Sequence, residues 1–129
     1  MKEKIISNLN YTQYLIIDAL EDIKGQNILI YDTSQKSNFF DRVIIASGVS
    51  NRQTRALAKS VAEKLKKKER INCRMEGEDN GEWVLVDCGD IICHIMQPII
   101  REYYNLEEIW GPKSITIENI KDSFQKKQF

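Results

Sequence analysis

At 129 residues the chain has the size of one domain, large enough to bury a single apolar core without a disulfide or metal staple. Nineteen Lys and Arg balance nineteen Asp and Glu, so no net field draws phosphate backbones and a protein partner is favoured over a nucleic acid. Three cysteines, an odd number, and no leader with a small-residue cleavage site point to a cytoplasmic protein in a reducing cytosol, and no apolar run approaches the roughly eighteen residues of a spanning helix.

Along the chain, Asn10 is expected to cap a first helix with Gln13 as its capping-box partner. Ile16, Leu20 and Ile23 follow at spacings of four and three, one buried stripe, and Gly25 ends the element. Residues 1–9 hold Ile5, Ile6 and Leu9 at helix-compatible spacing and either extend this helix or form a loose arm. Ile28-Leu29-Ile30-Tyr31 and Val43-Ile44-Ile45-Ala46 are apolar without alternation, as strands covered on both faces are. The polar run from Asp32 to Asn38 between them is turn chemistry. Ser50, with Gln53, opens a second helix that buries Leu57, Val61 and Leu65 at spacings of four, and its basic end at Lys66-Lys67-Lys68-Glu69-Arg70 suits the negative end of the helix dipole.

A third strand around Cys73 to Glu78 leads through Asp79-Asn80-Gly81 into a β-hairpin with strands over 83–88 and 91–96 around Gly89-Asp90. Pro98 is placed to start a short helix running to Tyr104, since its missing amide costs nothing at the first helical position. Asn105 to Trp110 make a further turn closed by Gly111-Pro112, and residues 112–129 read as a mobile tail or a marginal helix. The order of elements predicts a single α/β or α+β domain over 1–111, a mixed sheet of about five strands with flanking helices.

Catalytic readings find little to stand on. Cys93 and His94 are adjacent on a strand and point to opposite faces, so they cannot pair as nucleophile and base. No Cys-x-x-Cys or His-Glu-x-x-His spacing marks a metal site. The strand-to-helix junction Ser47-Gly48-Val49-Ser50 offers amides and a positive dipole end to an anion, and Glu76-Gly77-Glu78 on the next strand carries two carboxylates two apart. That combination keeps open an alternative, a nucleotidyltransferase-like enzyme using Glu76 and Glu78 with a divalent metal. The same acidic run before Asn80-Gly81 reads equally well as the solvated approach to a turn.

Binding readings are richer. Arg52, Arg55 and Lys59 fall at i, i+3 and i+7, one face of the second helix, and are either indifferent or reach a partner carboxylate or RNA phosphate. The hairpin and following helix carry Trp83, His94, Met96, Tyr103, Tyr104 and Trp110, residue types enriched at protein interfaces. Trp83, Leu85 and Asp87 share one strand face, and a two-residue turn sets Val86 opposite Cys93, Asp87 opposite Ile92 and Leu85 opposite His94. The competing reading makes Trp83 and Met96 core and Asp90 a simple turn cap.

Four blocks in order resemble the ribosomal silencing factor family, RsfS or Iojap: Ala46-Ser47-Gly48-Val49-Ser50-Asn51-Arg52 with Arg55-Ala56-Leu57-Ala58; Glu76-Gly77; Glu82-Trp83-Val84-Leu85-Val86-Asp87 with Gly89-Asp90 and His94; and Arg101-Glu102-Tyr103-Tyr104 with Leu106-Glu107 and Trp110-Gly111. The resemblance implies a nucleotidyltransferase-like topology without catalysis, no cofactor and no metal. It also implies binding to the large ribosomal subunit through its protein L-fourteen, with at most a minor rRNA contact, which stops the small subunit from joining and so represses translation. Family members resemble homodimers when free. Contact residues carried over by the resemblance are Trp83, Asp87, Asp90, His94 and Met96, with Tyr103 and Tyr104; Cys88 and Cys93 depart from its pattern.

Overall fold

The computed structural model describes residues 2–111 and 114–125. Residue 1 of the expected arm, and residues 112–113 and 126–129 of the expected tail, lie outside the described residues. In chain order the elements are α1 (Lys2–Asp22), β1 (Gln26–Asp32), β2 (Arg42–Ser47), α2 (Asn51–Glu69), β3 (Arg74–Glu76), β4 (Trp83–Asp87), β5 (Ile91–Met96), α3 (Pro98–Tyr104), α4 (Glu107–Trp110) and α5 (Ile117–Gln125).

The five strands form one mixed sheet in the order β1-β2-β5-β4-β3. Only β2 and β5 run parallel, which the long crossover through α2 makes possible. The helices α1 and α2 cover one face, where Ile16, Leu20, Leu57, Val61 and Leu65 meet Ile44, Val84, Val86, Cys93 and Ile95 in one buried core. The opposite face is covered over β1 and β2, where Phe40, Leu106 and Trp110 pack on Tyr31, Val43 and Ile45, and again at the Trp83–Met96 end, where Tyr104 packs on Trp83. This explains why β1 and β2 lack alternation while β4 alternates: the first pair is covered on both sides and the second on one.

Three local expectations are corrected. Asn10 does not cap a helix, because α1 already runs from Lys2; its side chain accepts a hydrogen bond from Gln13 Nε2 at 3.0 Å within the helix. Gln13 is itself buried and accepts from Arg42 Nε at 2.9 Å, a use for a buried amide that no local pattern announces. At the end of α1 the left-handed residue is Lys24 (φ 61°), with Gly25 donating to the Leu20 carbonyl at 2.8 Å. Gly25 matters for space instead, since a Cβ there would lie 3.1 Å from Leu57 Cδ2.

Residues of the expected tail are packed. Ile115 donates its amide to the Ile30 carbonyl at 2.7 Å, along the outer edge of β1. Helix α5 then lies against α1, burying Ile120 and setting Phe124 5.6 Å from the ring of Tyr11 and 5.2 Å from that of Tyr14.

Candidate functional site

The uncovered half of the second sheet face is the candidate site. Strand pairing builds it in rows. Arg74, Asp87 and Ile92 stand in one row, and Glu76, Leu85 and His94 in the next. Trp83 opposite Met96 makes the third. The register matches the pairing read from the two-residue turn, Val86 with Cys93, Asp87 with Ile92 and Leu85 with His94. Trp83, Leu85, Asp87, Ile92 and His94 are all half-buried.

Trp83 anchors an aromatic run at one end of this face. Its indole N–H donates to Nδ1 of His94 at 3.0 Å, and its ring lies 4.9 Å from that of Tyr104. Tyr104 in turn meets Tyr103 edge-on at 5.0 Å. Helix α3 carries both tyrosines there because Pro98 starts it directly after β5, and Arg101 pins it: Nη1 donates to the buried Ser47 Oγ at 2.9 Å and Nε to Glu107 Oε1 at 2.7 Å. Tyr103 is 80% exposed, as is Ile99 on the same helix, so α3 offers apolar surface that the chain itself leaves open. Burial pushes the His94 imidazole down to about 4, so it is neutral near pH 7.

The expected contact residues separate into groups. Trp83, His94, Tyr103 and Tyr104 are together. Met96 is not available: it is 0% exposed beneath this end of the face, so it supports the surface and cannot touch a partner. Asp87 is at the far end of the strand, about 14 Å from Trp83 at four steps of about 3.4 Å each. There it caps the turn, accepting the Gly89 amide on Oδ1 at 2.9 Å. Of the two readings of Asp90, turn cap or contact residue, the cap falls to Asp87 instead, and the exposed Asp90 gives its carbonyl to the amides of Asp41 and Arg42. Trp110 belongs to the other half of the sheet, against Phe40 at 5.8 Å.

The arginines also part company. Arg55 is committed internally, donating from Nε to the Glu78 carbonyl at 2.6 Å and from Nη2 to that of Asp79 at 2.7 Å. It clamps the β3–β4 loop to α2, helped by Thr54 Oγ1 donating to the Gly81 carbonyl at 2.5 Å and by Gln97, whose amide reaches Asn51 Oδ1. Arg52 is exposed one turn earlier. Ile92 is the residue that sequence reasoning passed over: its signal was its place opposite Asp87, and its neighbour Cys93 drew the attention.

The junction before α2 is partly filled by the chain itself. Ser50 caps the helix, its Oγ accepting the Gln53 amide at 3.0 Å, while Gln53 Oε1 accepts the amide of Val49 at 2.7 Å, one residue before the cap. Gly48 donates to the Met96 carbonyl and Thr54 to that of Ser50. Three amides of the junction, those of Gly48, Val49 and Gln53, thus have partners, and that of Thr54 makes the first helical bond. Glu76 faces the open sheet surface opposite Leu85, whereas Glu78 follows Gly77 into the turn. Among the described residues no group of three or more His, Cys, Asp or Glu is arranged to hold a metal ion, and no helix is long and apolar enough to cross a membrane.

Fold and surface define an α+β domain that leaves half of a sheet face, rimmed by aromatics, uncovered. The chain belongs to the family described as "Ribosomal silencing factor during starvation", whose model matches residues 7–129. A relative named "Ribosomal silencing factor RsfS" from Chromobacterium violaceum is 52% identical over 97 residues, which are 75% of this chain and 80% of that protein. Another of the same name, from Zymomonas mobilis, is 39% identical over 97 residues, 75% of this chain and 73% of its own length. A crystal structure of a Chromobacterium violaceum protein superposes with a TM-score of 0.77 at 47% identity, covering 82% of this chain and 88% of that one.

Proposed function

We propose that this chain binds the large ribosomal subunit through its protein L-fourteen and sterically blocks joining of the small subunit, repressing translation without chemistry of its own. The observation that carries the reading is the half-open sheet face of Trp83, Leu85 and His94 with Tyr104 and Tyr103 at its rim, in a chain of the ribosomal silencing factor family. Aromatic anchors beside half-buried aliphatics are what the centre of a protein interface is made of. A balanced charge fits a protein partner, with Arg52 as the group left for a minor rRNA contact. An interface of about 1,200 to 2,000 Å² suffices for stable occlusion. In the free state the same face pairs with itself in a cytoplasmic homodimer, since a self-complementary patch gives an isologous contact.

The test is co-sedimentation of the full chain with purified large subunits, followed by chemical cross-linking to identify the nearest ribosomal protein, and a light-scattering assay of subunit joining. Cross-links to L-fourteen and loss of the joining signal are expected. Tyr103→Ala together with Leu85→Lys abolishes both in a folded protein. Stable binding with cross-links to other proteins only, or joining that proceeds normally at saturation, overturns the reading.

A further inference from the structure

We propose that Cys73 and Cys88 form a reversible dithiol–disulfide pair, a site oxidised by a small peroxide that closes the β3–β4 ladder covalently. The two sulfurs lie 3.5 Å apart as free thiols. Strand pairing explains why. Arg74 is opposite Asp87, so the next antiparallel pair outward is Cys73 opposite Cys88. Directly opposed residues on antiparallel strands have Cα atoms about 4.5 to 5.5 Å apart, within the span a disulfide accepts.

The two thiols are unequal in the way such a pair needs. Cys73 is half-buried and lines a groove of ≈ 310 Å³ at the surface of α2, with Ala62, Lys66 and Met75, ample room for a peroxide. Cys88 is buried behind it and touches the Val86 carbonyl at 3.8 Å. The contact between the two sulfurs holds Cys73 below the ordinary thiol value and, together with burial, raises Cys88 above it. Cys73 is therefore the attacking sulfur and Cys88 the resolving one. The third thiol, Cys93, is wholly buried opposite Val86, and burial pushes it up to about 12.

The chemistry balances. The Cys73 thiolate attacks one oxygen of hydrogen peroxide, the O–O bond breaks, and the leaving hydroxide takes a proton to become water. Cys73 is then a sulfenic acid. The Cys88 sulfur attacks the Cys73 sulfur, forming the S–S bond and expelling hydroxide, which leaves as a second water with the Cys88 proton. Two thiols lose two electrons, and one peroxide becomes two waters. A small dithiol reverses the step by exchange. The loop so closed runs from Arg74 to Asp87, so oxidation fastens the edge strand β3 to β4 beside the open face.

Treatment of the full chain with hydrogen peroxide, followed by unfolding, iodoacetamide and intact-mass measurement with peptide mapping, tests this. One alkylated cysteine, Cys93, in place of three, a linked Cys73–Cys88 peptide and full recovery with dithiothreitol are expected. In Cys88→Ser the reaction stops at a sulfenic acid on Cys73 that dimedone traps, and Cys93→Ala cross-links as the wild type does. Three alkylated cysteines, a sulfinic acid at Cys73 without the cross-link, or a disulfide involving Cys93 overturns the proposal.

Discussion

Trp83 donates its indole N–H to Nδ1 of His94 at 3.0 Å across the β4–β5 pair. An imidazole nitrogen that accepts cannot carry a proton, so His94 holds its proton on Nε2 and is neutral. The hydrogen bond and the burial that depresses His94 to about 4 favour the same form.

This bond makes the chain sensitive to acid in a definite window. An unfolded histidine titrates near 6.5, so between about 4 and 6.5 the unfolded chain binds a proton that the native chain does not. The stability contribution is complete above about 6.5 and is lost as pH falls toward about 4. His94 is the one histidine of the chain, so a proton NMR titration of its ring reads it directly and should show a midpoint near 4. A midpoint near 6.5 refutes the burial argument. His94→Phe should flatten the fall in urea midpoint over this window.

Trp83→Ala tests anchor against support. The side chain is half-buried over the fully buried Met96, so truncation should cost about 2 kcal/mol of stability, less than the roughly 3 to 5 kcal/mol of a wholly buried aromatic. Large-subunit affinity should drop by more, at least about 2 kcal/mol or thirtyfold, in protein that is still folded. Trp83→Phe keeps the packing and loses the N–H to His94, so it should restore most of the stability. Denaturation midpoints and sedimentation binding on the same samples separate the two effects.

Two glycines with nearly the same backbone angle should respond differently. Gly77 (φ 87°) has the Trp83 carbonyl oxygen 2.1 Å from where a Cβ would sit, whereas Gly89 (φ 88°) has nothing within 4 Å. Gly89→Ala should cost only left-handed strain, about 1 kcal/mol. Gly77→Ala must move the β3–β4 loop and should cost about 3 kcal/mol or more, as strain and collision add. Equal melting losses would mean that the close approach at Trp83 is unimportant.

Salt should weaken large-subunit binding only slightly. Arg55, exposed like Arg52, is spent on the Glu78 and Asp79 carbonyls, so Arg52 is the arginine of that face taken to reach a phosphate. One phosphate contact predicts a slope of log affinity against log salt of about −1. A slope near −6 would make RNA the main partner. Arg55→Ala should lower stability by about 1 kcal/mol, the clamp lost, with the salt slope unchanged.

Incubation with labelled nucleoside triphosphates and Mg²⁺ or Mn²⁺ should yield no transfer. The amides of Gly48, Val49 and Gln53 are already bonded, and Glu76 and Glu78 diverge at Gly77. Transfer abolished by Glu76→Gln would sink the binding-module reading.

What the sequence determined by itself was local. A two-residue turn between alternating strands sets the hairpin register, Ser50 and the four-residue spacing of Leu57, Val61 and Leu65 define α2, and unbroken apolar runs mark β1 and β2 as covered twice. Each depends on neighbours a few residues away, where backbone geometry dictates which side chains share a face. The site required more. Met96 and His94 alternate identically on β5, yet the first is sealed and the second stays half-open. Arg55 looks like an uncommitted surface cation until the loop from β3 arrives to accept from its Nε and Nη2, and Trp110 looks like part of the hairpin's aromatic set until α4 turns it onto β1 and β2. Which half of a sheet face stays bare is decided by elements distant in sequence, because burial depends on what packs against a residue and periodicity states only which way it points.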